Sequence, residues 1–255
     1  MDNTTAASAY EERLNDQLPA NAANGAEDEM TPYDLADLCE VRATSYGLMA
    51  RLYRSEVDEE MLAELTSMRY PVKSGNALMD SGYYKMAKYL SNEWVDPLTR
   101  LAVDYSKSFL GSGIDAYSAA YPFESVYTSE KRLLMQDARD EVKAIYRANG
   151  LDKSESWTVG EDHIAVELEF MRILNGRAAS ALRAGNMDKA LTVLNTQKNF
   201  LHDHIAIWAP VFTADVRKFA STLFYEGLAD LTEGFLQEEA AFLSSIIDEE
   251  VAEER

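Results

Sequence analysis

From Thr31 to about Ile247, apolar side chains return every three or four residues, and the breaks coincide with helix-capping and helix-stopping residues. That rhythm puts each segment's apolar groups on one face of an α-helix. No segment sustains the apolar–polar alternation of a half-buried strand, and no internal repeat marks a solenoid. The spacing therefore predicts an all-α, single-domain helical bundle of about eight to ten helices.

Individual helices follow from local signals. Thr31-Pro32-Tyr33-Asp34 offers a hydroxyl cap, a proline in the first turn and a carboxylate where free amides favour it. Leu35, Leu38, Cys39, Ala43, Tyr46, Met49, Ala50 and Tyr53 continue the stripe, which predicts a helix over 32–54. Ser55-Glu56-Val57-Asp58 repeats the cap signature for a short helix through Met68, and a third helix fits 74–91. Asp96-Pro97 starts a fourth, with Leu98, Leu101, Ala102, Tyr105 and Phe109 inward, and Gly111 ends it. Later helices are predicted over 129–149, 162–184, 187–208 and 214–235, with a final acidic one at 238–247. Residues 111–127 differ. They hold Gly111, Gly113, Pro122, Tyr117, Tyr121, Phe123 and Tyr127 without a helical period, and read as a long ordered loop of the kind that often carries function.

Charge narrows the function. With 44 acidic and 24 basic residues, the 255-residue chain carries −20, which argues against nucleic-acid binding, since phosphate contacts need a basic surface. Residues 1–30 and 236–255 each hold seven acids against one arginine, leaving −8 for the body at 31–235. The first segment is expected to be a disordered acidic tail, the middle a single helical domain, and the last an acidic helix and tail. One cysteine, Cys39, permits no internal disulfide and suits a reducing compartment. No run approaches the ~18 uncharged apolar residues of a membrane span. The first residues lack the basic and apolar pattern of an export signal. A soluble, cytoplasmic protein is expected.

Catalytic signatures are weak. There is no glycine-rich phosphate loop, no Gly-x-Ser-x-Gly elbow and no His-Glu-x-x-His. Cys39 falls on the apolar stripe of the first helix and reads as a small buried hydrophobe. His163 and Glu167 lie four apart beside Asp162, and with His202 or His204 they could form a carboxylate–imidazole metal site. Asp162-His163 is equally readable as an N-cap and first-turn pair. Tyr105, Phe109, Trp208 and Phe212 read as core aromatics. The loop aromatics, set beside Glu124, Asp162 and Glu167, fit a groove for a cationic amphipathic peptide, with rings for its apolar part and carboxylates for guanidinium forks.

The order Asp104-Tyr105 to Phe109-Leu110-Gly111, Tyr121-Pro122-Phe123-Glu124-Ser125-Val126-Tyr127, Glu161-Asp162-His163 to Glu167-Leu168-Glu169-Phe170-Met171, and Phe200-Leu201-His202-Asp203-His204 to Trp208-Ala209-Pro210 with Phe212, then Phe224-Tyr225, resembles the TorD-like family of redox-enzyme maturation chaperones over roughly 33–235. The resemblance implies an all-helical cytoplasmic chaperone with no enzymatic turnover and no cofactor of its own. Such a protein binds the twin-arginine signal peptide and catalytic subunit of a molybdopterin oxidoreductase of the dimethyl sulfoxide or trimethylamine N-oxide reductase type, and delays export until folding is complete. It implies a peptide groove at Tyr105, Phe109, Pro122, Phe123, Glu124, Tyr127, Asp162 and His163, with Glu167 as a further acid from the reading of the residues. Monomer and helix-exchanged homodimer both stay open, and no phosphate loop supports the guanine-nucleotide binding ascribed to some relatives. Where the family usually has Glu-Pro before Asp-His, this chain has Val159-Gly160, which implies a less rigid loop ahead of that pair. Two other readings stand beside this one: a metal-dependent helical enzyme using His163, Glu167 and His202, and an acidic adaptor that holds a basic partner with its tails.

Overall fold

The computed structural model describes residues 30–253 except 93, 112–117, 131 and 135. The expected acidic tail at 1–30 lies, but for Met30, outside the described residues. Ten α-helices are described: α1 Pro32–Arg54, α2 Glu59–Ser67, α3 Ala77–Leu90, α4 Pro97–Tyr105, α5 Glu124–Thr128, α6 Asp137–Ala148, α7 Ile164–Arg183, α8 Met187–Phe200, α9 Ala206–Phe219 and α10 Leu223–Glu253. Two π-helical turns, Ser106–Leu110 and Leu201–Ile205, extend α4 and join α8 to α9. Among the described residues there is no strand, and the all-α expectation holds. No described helix is long and apolar enough to cross a membrane.

Caps set many of the starts. Asp58 accepts Met61 N–H at 2.8 Å, Asn76 accepts Leu78 and Met79 N–H at 3.0 and 3.2 Å, and Asp96 accepts Thr99 N–H at 3.1 Å. Each such cap contributes about 1 kcal/mol by satisfying an otherwise free amide. Helix α10 is capped from a distance: the buried Asp104 carboxylate accepts Ser221 N–H at 2.7 Å and Thr222 N–H at 2.8 Å.

Packing then assembles two helix pairs. Helix α1 lies along α7, and α3 lies along α10. The second pair is close because glycines face each other: a Cβ on Gly82 would stand 2.6 Å from Leu231 N, and one on Gly227 would stand 2.8 Å from Gly82 O. Between the elements sits an aromatic core. Tyr53 meets Phe109 at 5.6 Å and Phe212 at 5.4 Å, and Trp208 meets Phe212 at 5.3 Å between ring centroids. Burying each of these rings contributes roughly 1.5–3 kcal/mol. Cys39 is fully buried and its thiol is pushed up to about 11, chiefly by burial, so it is a packing group and no thiolate.

Four expectations need correction. Residues 111–127 are not one loop, because Glu124–Thr128 forms α5; residues 112–117 lie outside the described set. The helix expected from 129 begins only at Asp137. The break expected between 208 and 214 is absent, since Pro210 sits inside α9 and the break falls at Ala220–Thr222. Pro210 lacks the N–H that would bond the carbonyl of Ala206, the first residue after the wide π turn, so the missing bond falls where the ladder is already re-registered. Lastly, the expected separate helix at 238–247 is the continuation of α10, held through buried Glu239, which pairs with Arg42 on α1.

Candidate functional site

A cleft of about 610 Å³ opens where the end of α1, the π turn after α4, the 121–123 segment and the start of α7 converge. Its second wall is built by local geometry at α4. Tyr105 ends α4 and Phe109 lies in the π turn; both line the cleft from a buried position, and Tyr105 Oη donates to Tyr53 O at 2.9 Å. Gly111 ends the turn at φ 57°, where a side chain would be strained. Leu110, beside it, is exposed.

The third wall is a short antiparallel bridge between Phe123 and His163. Ile164 N donates to Pro122 O and Glu124 N donates to Asp162 O, both at 2.9 Å, and the Phe123 and His163 rings meet edge to face at 4.9 Å. His163, and not Asp162, is the N-cap of α7: its Nδ1 accepts Ala165 N–H at 3.1 Å. An acceptor at Nδ1 leaves the ring proton on Nε2. Burial pulls His163 down to about 3, so the ring is neutral.

Asp162 caps a different helix. Its Oδ2 accepts from the Ser125 N–H at 3.2 Å and from Ser125 Oγ, in the first turn of α5. Behind it, Glu124 receives His204 Nδ1 at 3.2 and 3.3 Å. Burial lowers the His204 pKa, but the hydrogen bond and charge of the Glu124 carboxylate outweigh it, so the net shift is upward. Glu167 is fully buried. Burial first, then the neighbouring Glu124 and Asp162 carboxylates, raise it well above the usual range, so it is a neutral acid at neutral pH. Burial also opposes ionisation of Glu161, yet Arg139 at 2.6 Å and Lys143 at 3.4 Å hold it at about 2.

The nine residues singled out in the sequence thus divide. Tyr105, Phe109, Pro122, Phe123 and His163 line the cleft together. Glu124, Asp162 and Glu167 gather as well, but behind that wall, each at most 2% exposed. Tyr127 stacks on Trp208 at 5.4 Å and meets Phe212, outside the cleft lining. The expectation of a metal site at His163, Glu167 and His202 fails. His202 is exposed and pairs with Asp203, whereas His204 turns inward, and the described residues contain no cluster able to hold a metal. The two histidines are two residues apart and point to different faces.

The cleft also contains residues the sequence reading passed over. Arg54, Ser55, Glu56 and Asp58 form its first wall, and Thr158 and Val159 its fourth. No local signal marks Glu56 and Asp58 as neighbours of His163, more than a hundred residues away. The loop bearing Val159-Gly160 is anchored from inside: Lys153 Nζ donates to Trp157 O at 2.7 Å and Val159 O at 2.6 Å. Arg54 adds a second tie, with its guanidinium 4.1 Å over the Trp157 ring and donating to Ser156 O at 3.1 Å.

Comparison with known proteins places these features in context. A family model described as nitrate reductase delta subunit matches residues 76–214. The chain is 26% identical over 222 residues to the chaperone protein TorD of Vibrio cholerae O395, covering 85% of this chain and 98% of that one. It is 27% identical over 214 residues to TorD of Vibrio parahaemolyticus, covering 80% and 95%. A perchlorate reductase assembly chaperone of Dechloromonas aromatica is 29% identical over 155 residues, covering 59% of this chain and 67% of the relative.

Proposed function

Because this chain belongs to the nitrate reductase delta subunit family, in the TorD-like group of redox-enzyme maturation chaperones, we propose that its cleft binds the twin-arginine signal peptide of a molybdopterin oxidoreductase. Members of the group are maturation chaperones and not catalysts, and the partner is a redox enzyme. The client proposed here is a catalytic subunit of the dimethyl sulfoxide or trimethylamine N-oxide reductase type, held in the cytoplasm as apoprotein until its cofactor is inserted.

The observation that carries this reading is the convergence of Tyr105, Phe109, Pro122 and Phe123 on one open cleft that also exposes carboxylates. A leader with paired arginines and an apolar stretch presents the matching chemistry: methylenes for the rings, guanidiniums for the acids. A body charge of −8 adds long-range attraction for such a basic segment. Glu124, Asp162 and Tyr127 serve the same site indirectly, since their contacts hold α5 beside the Phe123–His163 bridge, and Glu167 lies buried behind them.

Calorimetric titration with a synthetic twin-arginine leader and its Lys-Lys counterpart tests the proposal. Binding of the arginine form about tenfold tighter or more supports it, because the ammonium cannot form the bidentate fork. Equal binding, or none, overturns it.

A further inference from the structure

Ser55–Asp58 connects α1 to α2 without helical structure, and within it Val57 is buried while Glu56 and Asp58 are exposed. Val57 anchors the segment to the core, and the alternation sends both flanking carboxylates outward, where they line the cleft. Each is held by one oxygen. Glu56 Oε1 accepts from Ser106 Oγ at 3.2 Å; Asp58 Oδ1 accepts Met61 N–H at 2.8 Å and has Arg51 at 3.5 Å. The second oxygen of each has no partner among the described residues. Arg54 lines the same cleft but is drawn aside to Trp157 and Ser156 O, so it pairs with neither carboxylate, and Asp58 keeps only the long contact to Arg51.

An independent observation points to a ligand at the same place. His163 is 3% exposed, lines the cleft, and has its Nδ1 committed to Ala165 N–H. Its Nε2–H is then a donor with no acceptor among the described residues, left to water or to whatever enters the cleft that His163 lines. A neutral donor that repels no cation is suited to a main-chain carbonyl.

We propose that Glu56 and Asp58 are the carboxylates that receive an arginine side chain of the bound peptide, and that His163 Nε2–H donates to a carbonyl of the same peptide's main chain. The assignment rests on the peptide reading above and refines it. Both carboxylates lie outside the stretch matched by the family model. Carboxylates two residues apart on one extended segment can accept the planar guanidinium fork and reward an ammonium less.

The test uses the full chain, a synthetic peptide carrying Arg-Arg before an apolar stretch, and the same peptide with both arginines replaced by citrulline, their uncharged near-isostere. The variant Glu56→Gln/Asp58→Asn keeps a hydrogen-bonding side chain at both positions, and asparagine keeps the α2 cap. Wild type should bind the arginine peptide about tenfold tighter than the citrulline peptide or better, and in the double variant that ratio should fall to near one. A ratio that survives in the double variant, or in Glu56→Gln and Asp58→Asn separately, overturns the assignment and leaves the peptide reading standing. Wild type that binds neither peptide removes the peptide reading and the assignment with it. His163→Asn, which can still cap α7, should weaken both peptides by a similar factor, roughly fivefold. Unchanged binding by that variant overturns the main-chain contact.

Discussion

Glu56 and Glu124 are carboxylates on opposite sides of one wall. Glu56 faces the cleft with one oxygen tied to Ser106 and the other open. Glu124 is 2% exposed and spends its charge on His204. One acid is available to a partner, and the other is consumed in placing α5 and the Phe123–His163 bridge. Acidic composition therefore says little about binding until each charge is assigned a neighbour.

The strongest way to break this contrast is to remove the inner partner. Glu124→Ala leaves His204 without its counter-ion in a buried place and should cost about 3 kcal/mol of unfolding free energy, measured by urea denaturation at pH 7. A loss under about 1 kcal/mol would show that His204 is neutral in the folded state. Next comes pH. His163 is neutral in the fold, with its pKa depressed from 6.5 to about 3, and it protonates normally when unfolded. The unfolded chain therefore binds the extra proton as pH falls below 6.5, and folded stability falls with it. Comparing wild type with His163→Asn between pH 6.5 and 5 should show wild type losing about 2 kcal/mol more. Parallel curves would mean that His163 is already charged or already solvated in the fold.

Smaller effects sharpen the same line. Glu167→Gln should raise stability at pH 7 relative to wild type, because burial and the adjacent carboxylates keep Glu167 protonated in the fold, so wild type must take up a proton there on folding and glutamine need not. Its raised pKa also predicts that the acid's stabilising share is full below the unfolded value and is lost as pH rises through the folded one, a slope absent in the glutamine variant. Glu56→Gln should leave stability within about 0.5 kcal/mol while removing part of the salt sensitivity of peptide binding. Deleting residues 1–29 should alter peptide affinity by less than about twofold, by the screening of distant exposed charges at physiological salt. A larger drop would favour the tail-based adaptor reading.

Much of the fold was legible because its signals are short-range. Pro32, Asp58 and Pro97 mark helix starts that depend only on amides within one turn. Pro210 misled for the opposite reason. Its tolerance depends on a π turn at Leu201–Ile205, and nothing beside the proline announces that turn. The loop at 111–127 was read too simply, because α5 is held from outside itself, by Asp162 across 37 residues.

For the site, the rings and His163 were legible as a set, but the roles of the acids were not. Glu124, Asp162 and Glu167 look in the sequence like surface carboxylates flanking a groove, and in the folded protein they lie behind it. Glu56 and Asp58 look like an ordinary helix-start pair and stand at the cleft.

By itself the sequence determined an all-helical chain, the location of most helix starts and some of the rings at the cleft. Those features rest on contacts among residues a few positions apart. Which carboxylates face water was decided only by tertiary structure. An acid's exposure and charge state depend on partners brought in from far along the chain, as His204 is to Glu124 across 80 residues, and on the low dielectric that packing creates around them.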